Sequence, residues 1–525
     1  MKTWPWLTIL LLVPTIGALL VAAIPRRQAL LAKQLALGIS LVELVLAIIM
    51  SVVFVQGKPG FQFVQSYSWI KAFGTSYQVG VDGISLVLIA LAAVLVPVVI
   101  LASWDDAETV PGVEAASRRS VPVFFALILI LEASMVGVFA ATDVFLFYVF
   151  FEAMLIPMYF LIGSYGAPGP KRSYAAVKFL LYSLLGGLLM LAAVIALFVL
   201  SSQQLRHGTF DFDTLRHINI TPTEQKLMFL AFFVAFAIKA PLFPFHTWLP
   251  DAGAEAPTGG AVLLVGVLDK VGTFGLIRYC IPLFPKASKS LAWLVLTLAV
   301  IGIFYGALLA VGQRDLKRLV SYTSVAHFGF IALGIFAFTT QGGTGAVLYM
   351  VNHGLSTGAL FLIVGFLISR RGSRDPASFG GWGSKTPLLS GVFLIAGLSS
   401  LALPGLSTFV SEFLVLVGTF TRYRALAIVA TVGIVLAALY ILLMYQRTMH
   451  GPLREGTDRS MLRDLTTREA FVIAPVLALI IALGVYPKPL LDTITPAVKA
   501  TFTTTGHADP VPPHPVAVDN EGAHR

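Results

Sequence analysis

Ionisable side chains recur inside long apolar stretches of this sequence, where they could carry protons. Lys239 lies in "AFAIKAPLFPFHTWLPDAGAEAPT" (residues 235–258), and Pro241, Pro244 and His246 follow it. A buried lysine can exist as an ammonium or as a neutral amine, because desolvation lowers its proton affinity and a nearby carboxylate restores it. An arginine could not serve, since its guanidinium does not lose its proton in proteins. The choice of lysine therefore predicts a group that takes up and releases a proton.

Acidic, basic and imidazole side chains follow one another along the chain in an order that suits a proton relay. The candidate carriers are Glu132, Glu152, Lys239, Lys270, His327, His353 and Glu412, with His246 one turn after the prolines as a further candidate. Histidine titrates near neutrality without strong perturbation. Structural roles stay open, because polar residues also join helices by hydrogen bonds. The roles of Glu43, Lys178 and Asp269 are left undecided by the sequence.

The composition says what kind of molecule must position these groups. Of the 525 residues, 57% are hydrophobic and 12% are charged, against about 25% charged in a soluble domain. Apolar runs of roughly 20 residues, long enough to cross a bilayer, recur fourteen times by our count. Such runs must be helices, because a membrane offers no water to the backbone. We therefore predict an all-α polytopic membrane protein, in which a charge at the bilayer centre costs at least about 2.5–3.5 kcal/mol.

The order of the runs predicts internal repetition. The expected parts are helices 1–3 (1–103), a first five-helix repeat (121–280), a second five-helix repeat (290–450), helix 14 (467–488) and a disordered C-terminal tail (489–525). Helix 7 is broken after Lys239, and helix 12 is broken at Pro404 just before Glu412. Each is the fourth helix of its block, so helices 4–8 and 9–13 would be inverted repeats. Broken helices in corresponding positions point to a transported-ion site.

The break after Lys239 also suggests how its ammonium could be solvated. Pro241 has no N–H to offer the carbonyl of Ala237, and Pro244 has none to offer that of Ala240. We expect the freed carbonyls to hold water or the ammonium of Lys239.

Charge and cysteine content narrow the function classes. The single Cys280 excludes an internal disulfide and any cysteine-held cluster or zinc site. The net charge of +10 comes from Lys and Arg dispersed through the connections between helices, which indicates positive-inside topology rather than nucleic-acid binding. Loops after odd-numbered helices hold the larger share of basic residues. We therefore expect both termini outside the cytoplasm and a retained first helix rather than a cleaved signal peptide.

Four motifs carry a resemblance to a known family. "KAPLFPFHTWLPDAGAEAPT", "GVLDKVG", "GQRDLKRLVSYTSVAHFGF" and "ALPGLSTFVSEF" resemble the antiporter-like subunits of the proton-pumping NADH:quinone oxidoreductase, respiratory complex I. Multisubunit cation/proton antiporters and membrane-bound hydrogenases share these motifs. Glu412 stands where chains L and N of complex I typically carry lysine, and only 37 residues follow residue 488. Both features favour the third subunit type of this family, which carries glutamate there and lacks a long lateral helix.

The resemblance implies roles for the candidate residues. Glu152 would pair with Lys239 and set its proton affinity, Lys270 would relay protons to the centre, and His327 and His353 would lead to Glu412 at the exit side. Glu132 matches the family's additional acidic residue in helix 4. No NADH, flavin, iron–sulfur or quinone site belongs to such a subunit, so it is a non-redox part of a translocase and we expect no cofactor.

The resemblance also implies the surroundings of the chain. The expected partners are other membrane-arm subunits of complex I, with chains L and N as neighbours, together with the lipid bilayer and the transported proton, and no nucleic acid. The expected location is the inner (plasma) membrane of a bacterial cell. The alternative is a subunit of a multisubunit Na+/H+ antiporter, and a quinone-binding enzyme is a weaker third reading.

Overall fold

Helices make up most of the molecule. A computed structural model describes residues 4–107, 120–458 and 461–510. Within these ranges, eleven helical segments are long and apolar enough to cross a membrane, and a shorter apolar helix of 17 residues begins at Trp6. The predicted class, an all-α polytopic membrane protein, is confirmed. The count of fourteen spans stays a prediction, because beside these eleven segments the described residues hold three shorter apolar helices, Trp6–Ala22, Pro387–Ser400 and Ser407–Phe420.

Among the described residues up to 140, the N-terminal part contains four α-helices and one β-hairpin. The elements are α1 (Trp6–Ala22), α2 (Ala29–Val53), β1 (Gln62–Ile70), β2 (Thr75–Val81), α3 (Gly83–Ala102) and α4 (Val121–Ala140). The strands pair antiparallel, with Tyr67 opposite Tyr77. Gly74 turns the hairpin at a φ of 59°, a conformation that glycine adopts without steric cost. The Asp82 carboxylate then accepts hydrogen bonds from the N–H groups of Ile84 and Ser85 and so begins α3.

The next part of the chain forms ten helices and two π-helical turns. The helices are α5 (Val144–Ala153), α6 (Leu155–Tyr165), α7 (Pro170–Leu205), α8 (Phe212–Leu215), α9 (Pro222–Lys239), α10 (Leu249–Glu255), α11 (Thr258–Leu263), α12 (Lys270–Gly275), α13 (Ile281–Leu283) and α14 (Pro285–Ser290). The π-helical turns Leu264–Leu268 and Leu276–Cys280 flank α12. Together α11 to α13 form one fully buried span. Because π-helical turns are rare and concentrate at functional sites, this central span is where a site is expected.

The first helix break lies between α9 and α10. Helix α9 starts with a capping box between Thr221 and Glu224 and ends at Lys239. The expectation that the break frees the Ala237 carbonyl for the lysine is wrong, because the N–H of Leu242 reaches back to it at 2.9 Å. The indole N–H of Trp248 likewise donates to the carbonyl of Ile238 at 2.8 Å. The break thus satisfies these carbonyls with its own donors, and the ammonium of Lys239 binds none of them.

The second break lies in the following series of helices. These are α15 (Ala292–Val311), α16 (Leu316–Phe336), α17 (Thr340–Arg371), α18 (Pro387–Ser400), α19 (Ser407–Phe420) and α20 (Arg424–Met449). Between α18 and α19 the chain passes Pro404 and then Gly405, whose φ is 92°. Glu412 lies in α19, on the C-terminal side of this break. The two predicted breaks therefore exist, each within a few residues of a buried charge.

Two helices close the described chain, α21 (Thr467–Val485) and α22 (Lys488–Thr504). The expectation of a disordered tail over residues 489–525 is wrong for residues 489–504. Ile494, Val498 and Phe502 are buried, and because they are spaced four residues apart they form one apolar stripe. Phe502 packs where a Cβ at Gly343 of α17 would lie 2.6 Å from its ring. The proline-rich remainder, residues 511–525, lies outside the described residues.

Candidate functional site

Glu152 and Lys239 lie near each other. They are the first members of a series of candidate proton carriers, called the row below, whose later members are Lys270, His327, His353 and Glu412. The Lys239 side chain is buried, with its ammonium 4.7 Å from the centroid of the Phe151 ring and 5.9 Å from that of Phe179. An ammonium over an aromatic face gains a cation–π attraction. The ammonium of Lys239 makes no hydrogen bond, to Glu152 or to any other described residue, although the charges of the two groups act on each other. The carboxylate and the ammonium are thus close but separated.

A glycine on α7 makes room for the Glu152 carboxylate. A Cβ at Gly187 would lie 1.7 Å from Oε1 of Glu152, so no other residue type leaves this space. Oε1 itself has no hydrogen-bond partner. The space for the carboxylate is therefore provided by the missing side chain of Gly187, and no hydrogen bond holds Oε1 in place.

Lys270 occupies the centre of the molecule at the start of α12. Its ammonium donates to the carbonyl of Val265, in the preceding π-helical turn, and lies 2.7 Å from Nδ1 of His353. The Phe328 ring centroid is 5.2 Å away. An ammonium only donates, so Nδ1 of His353 accepts and its proton lies on Nε2. The structure therefore places lysine and imidazole in direct contact.

A second hydrogen-bonded group continues from the histidines to Glu412. The rings of His353 and His327 have centroids 5.3 Å apart. Nδ1 of His327 lies 2.5 Å from the Tyr349 hydroxyl, and this hydroxyl donates to Oε2 of Glu412 at 3.0 Å. Lys270, His353, His327 and Glu412, all four predicted from the sequence, are thus brought together.

Tyr349 is the member of this group that sequence reasoning missed. It lies in α17, four residues before His353, and residues at that spacing share one face of a helix. The signal was present in "LYMVNHG", but a tyrosine in an apolar helix is usually a packing residue. Tyr440 of α20, 3.4 Å from Nε2 of His327, was missed for the same reason.

His246 lies apart from the hydrogen-bonded group. Its ring packs 5.0 Å from Tyr305 and 6.0 Å from Phe243, centroid to centroid, and its Nδ1 has no partner. Nearby, Lys178 forms an ion pair with Asp251 of α10 at 2.7 Å, and Arg318 contacts the same carboxylate. Lys178 therefore anchors α10, which supports a structural role for it.

Glu132 also lies apart from the row and is accompanied by Glu43. Both side chains are fully buried, on α4 and α2 respectively. None of the four carboxylate oxygens has a hydrogen-bond partner, and the two charges repel each other. Burying an unpaired carboxylate is costly, so such groups tend to take up a proton. The acidic neighbour of Glu132 is therefore Glu43 rather than Glu152.

The fold and the buried row define a helical membrane protein of the antiporter-like, ion-translocating class. The chain belongs to the NADH:quinone oxidoreductase/Mrp antiporter transmembrane family, whose model matches residues 141–437.

Three comparisons place the chain within that family. Subunit M of the NADH-quinone oxidoreductase of Mycobacterium tuberculosis is 49% identical, over 98% of this chain and 98% of its own. Chain 4 of the NADH-ubiquinone oxidoreductase of Arabidopsis thaliana is 37% identical, over 93% of this chain and 95% of its own. A chain of respiratory complex I from Thermus thermophilus superposes with a TM-score of 0.84 at 30% identity, covering 95% of this chain and 100% of that one. The predicted resemblance to an antiporter-like subunit of complex I is confirmed, and the subunit type is M.

Proposed function

We propose that this chain is a proton-translocating subunit of the membrane arm of an NADH:quinone oxidoreductase. It moves protons through its buried row while the redox chemistry takes place in other subunits, so the chain is a non-redox part of a translocase. The observation that carries the proposal is the hydrogen-bonded group Lys270–His353 and His327–Tyr349–Glu412, which is buried throughout. Other membrane-arm subunits are its partners, and chains L and N are the proposed neighbours. Its termini face away from the cytoplasm of the bacterial cell.

The separation of Glu152 from Lys239 is the proposed control point. A carboxylate that approaches a buried ammonium stabilises its charge. When the carboxylate moves away, desolvation favours the neutral amine and the proton is released. The structure has the two groups close without a direct bond, and Gly187 provides the space in which the carboxylate sits. A small displacement of Glu152 therefore changes whether Lys239 keeps its proton.

The second half of the row offers the groups that receive that proton. Lys270 contacts His353, and Tyr349 links His327 to Glu412. A hydroxyl and an imidazole can each donate at one moment and accept at another. Proton transfer along the row therefore requires only small reorientations, and Glu412 is the group from which the proton leaves.

The test is NADH-driven proton uptake by inverted membrane vesicles that contain the assembled complex. Lys239→Met and Glu152→Gln are expected to assemble while losing most proton uptake per NADH oxidised, because each removes one side of the control point. Lys226→Met is the matched control, since Lys226 lies on the same helix but is exposed. A normal ratio of protons to NADH in either variant would overturn the proposal.

The alternative is a subunit of a multisubunit Na+/H+ antiporter, since the matched family includes Mrp antiporters. The same vesicles distinguish the two functions. A redox-driven subunit acidifies the vesicle interior in sodium-free medium when NADH is added. An antiporter subunit instead requires sodium and an existing proton gradient.

A further inference from the structure

Asp269 is a buried carboxylate that the row described above does not use. It stands between the π-helical turn Leu264–Leu268 and α12, with 1% of its surface exposed. Neither carboxylate oxygen has a hydrogen-bond partner. An unpaired carboxylate in such a place is destabilising and adds nothing to packing that an apolar residue would not supply. Its presence therefore calls for a role in which the charge itself is used.

Helix α12 packs against the end of α9, where Lys239 lies. Gly272 lies three residues after Asp269, and a Cβ there would be 2.4 Å from both the N atom of Ala240 and the carbonyl oxygen of Phe236. Gly275, three residues further on, would meet the Phe236 ring at the same distance. Residues three apart share a helix face. The face that carries Asp269 is thus pressed against the last turn of α9, where Lys239 lies.

Asp269 lies next to both lysines of the row. It directly precedes Lys270 in the chain, and the helix face that it shares with Gly272 packs on the end of α9, which is Lys239. Glu152, by contrast, acts on Lys239. Asp269 is therefore placed between the half of the row that ends at Lys239 and the half that begins at Lys270.

We propose that Asp269 carries the proton from Lys239 to Lys270, an inference that rests on the proposed function and deepens it. An N–H bond of the Lys239 ammonium breaks and an O–H bond forms on Asp269, which leaves an amine and a carboxylic acid. That O–H bond then breaks and an N–H bond forms on the amine of Lys270. One proton moves and no other reactant is consumed. Each transfer takes place when oxygen and nitrogen come within hydrogen-bond distance, directly or across one water molecule.

Such a carrier explains how two lysines can exchange a proton without being ionised together. Two ammonium groups in one low-dielectric region repel each other strongly. A carboxyl group between them can offset the charge of whichever lysine is protonated, and it alternates between its ionised and its protonated form as the proton passes. Lys270 then passes the proton to Nδ1 of His353, 2.7 Å away.

The experiment replaces Asp269 in the full complex and measures proton uptake by inverted vesicles. Asp269→Asn and Asp269→Leu are expected to assemble and to lose about a hundredfold in NADH-driven proton uptake, the lower end of what one acid–base group contributes. Asp269→Glu, which keeps the carboxylate, should retain most of the uptake. Thr273→Val is the control, because it removes a buried hydroxyl from the same helix that bonds only the backbone of Lys270. Normal uptake in the Asn or the Leu variant overturns the inference.

One further readout and one comparison complete the test. If neither variant assembles, infrared difference spectra of the wild-type complex with carbon-13-labelled aspartate are recorded during turnover. A labelled carboxyl band that changes on adding NADH and is missing from the Asp269→Glu complex supports the inference, and the lack of any such difference overturns it. The outcome that would reject the proposed function differs from the one that would reject this inference. Normal pumping by Lys239→Met would reject the proposed function. Loss of pumping in Lys239→Met together with normal pumping in Asp269→Leu rejects this inference alone.

Discussion

The Tyr349 hydroxyl bridges His327 and Glu412, lying 2.5 Å from Nδ1 of the imidazole and 3.0 Å from Oε2 of the carboxylate. The three side chains come from α16, α17 and α19, so the bridge ties the second broken helix to the helices that carry the histidines. Because the hydroxyl accepts on one side and donates on the other, one concerted shift can move a proton across it. Tyr349 thereby closes the gap between imidazole and acid.

Tyr349→Phe is expected to lower proton uptake by about tenfold while the complex still assembles. The ring is kept and only the hydroxyl is lost, which removes a bond to a charged group worth about 1.5–3 kcal/mol. Tyr440→Phe is the matched control, since its hydroxyl lies 3.4 Å from the other nitrogen of His327 and should matter little. The measurement is proton uptake per NADH in inverted vesicles. Equal activity of the two variants would show that the bridge is not on the proton path.

Gly187→Ala tests the position of the Glu152 carboxylate without changing any charge. The added methyl group would lie 1.7 Å from Oε1, so the carboxylate must move. Its distance from Lys239 then changes, and proton uptake should fall several-fold although both ionisable groups remain. Gly391→Ala on α18 is the control, because a Cβ there meets nothing within 4 Å. Unchanged uptake in Gly187→Ala would mean that Glu152 does not control Lys239 by position.

Substitutions at Glu412 test the exit side of the row. Glu412→Gln keeps the shape but removes the titratable group, so uptake should fall as far as in Lys239→Met. Glu412→Lys should retain more activity, because a lysine amine can also bind a proton, and the resulting ammonium can release it and can donate to the Tyr349 hydroxyl. Turnover and proton uptake of the two variants in one membrane preparation provide the comparison. If Gln outperforms Lys, Glu412 is not a proton carrier.

The sequence predicted the residues of the row better than it predicted their connections. Burial of Lys239, Lys270 and Glu412 follows from hydropathy, because a charge inside a long apolar run has nowhere else to lie. Their hydrogen bonds do not follow, since these depend on which helix faces meet. The contact between Lys270 and His353 joins residues 83 positions apart.

Elements whose signals were weaker than the apolar runs were not predicted correctly. The hairpin β1–β2 was not predicted, because it lies in the connection between α2 and α3, where no apolar run marks a secondary-structure element. Helix α22 was expected to be disordered, because the prolines that follow it outweighed the spacing of Ile494, Val498 and Phe502. The Ala237 carbonyl was expected to be free, because Pro241, four residues later, has no N–H to donate to it. This expectation overlooks the N–H of Leu242, which follows the proline.

Asp143, between α4 and α5, gives the fold a predicted dependence on pH. Its carboxylate accepts hydrogen bonds from the N–H groups of Ser76, Phe145 and Leu146. Burial nevertheless raises the pKa of Asp143 to about 6, against about 3.9 in an unfolded chain. The folded state thus binds this proton more tightly, so the free energy of unfolding falls as pH rises from about 4 to about 6, by up to about 3 kcal/mol.

Asp143→Asn should remove that dependence while keeping an oxygen that begins α5, since Asn and Asp are equally good at this position. The midpoint of thermal unfolding of the solubilised complex is measured for both forms at about pH 5 and about pH 7.5. The variant should gain stability relative to the wild type at the higher pH, because only the wild type pays for a buried charge there. A difference in midpoint that is the same at both pH values would contradict the prediction.

The buried ion pair between Asp82 and Arg278 should matter for stability far more than an exposed one. The pair spans 2.5 Å, with 5% and 8% of the two side chains exposed, and it ties the start of α3 to the second π-helical turn. Arg278→Met leaves the Asp82 carboxylate buried with only two backbone donors, which should cost about 3–5 kcal/mol. Combining it with Asp82→Asn should recover part of the loss, because no unpaired charge remains. Lys488→Met, which breaks an exposed pair of the same length, should leave the unfolding midpoint unchanged. If the losses from Arg278→Met and Asp82→Asn simply add in the double variant, the two charges do not stabilise each other and the pair is incidental to the fold.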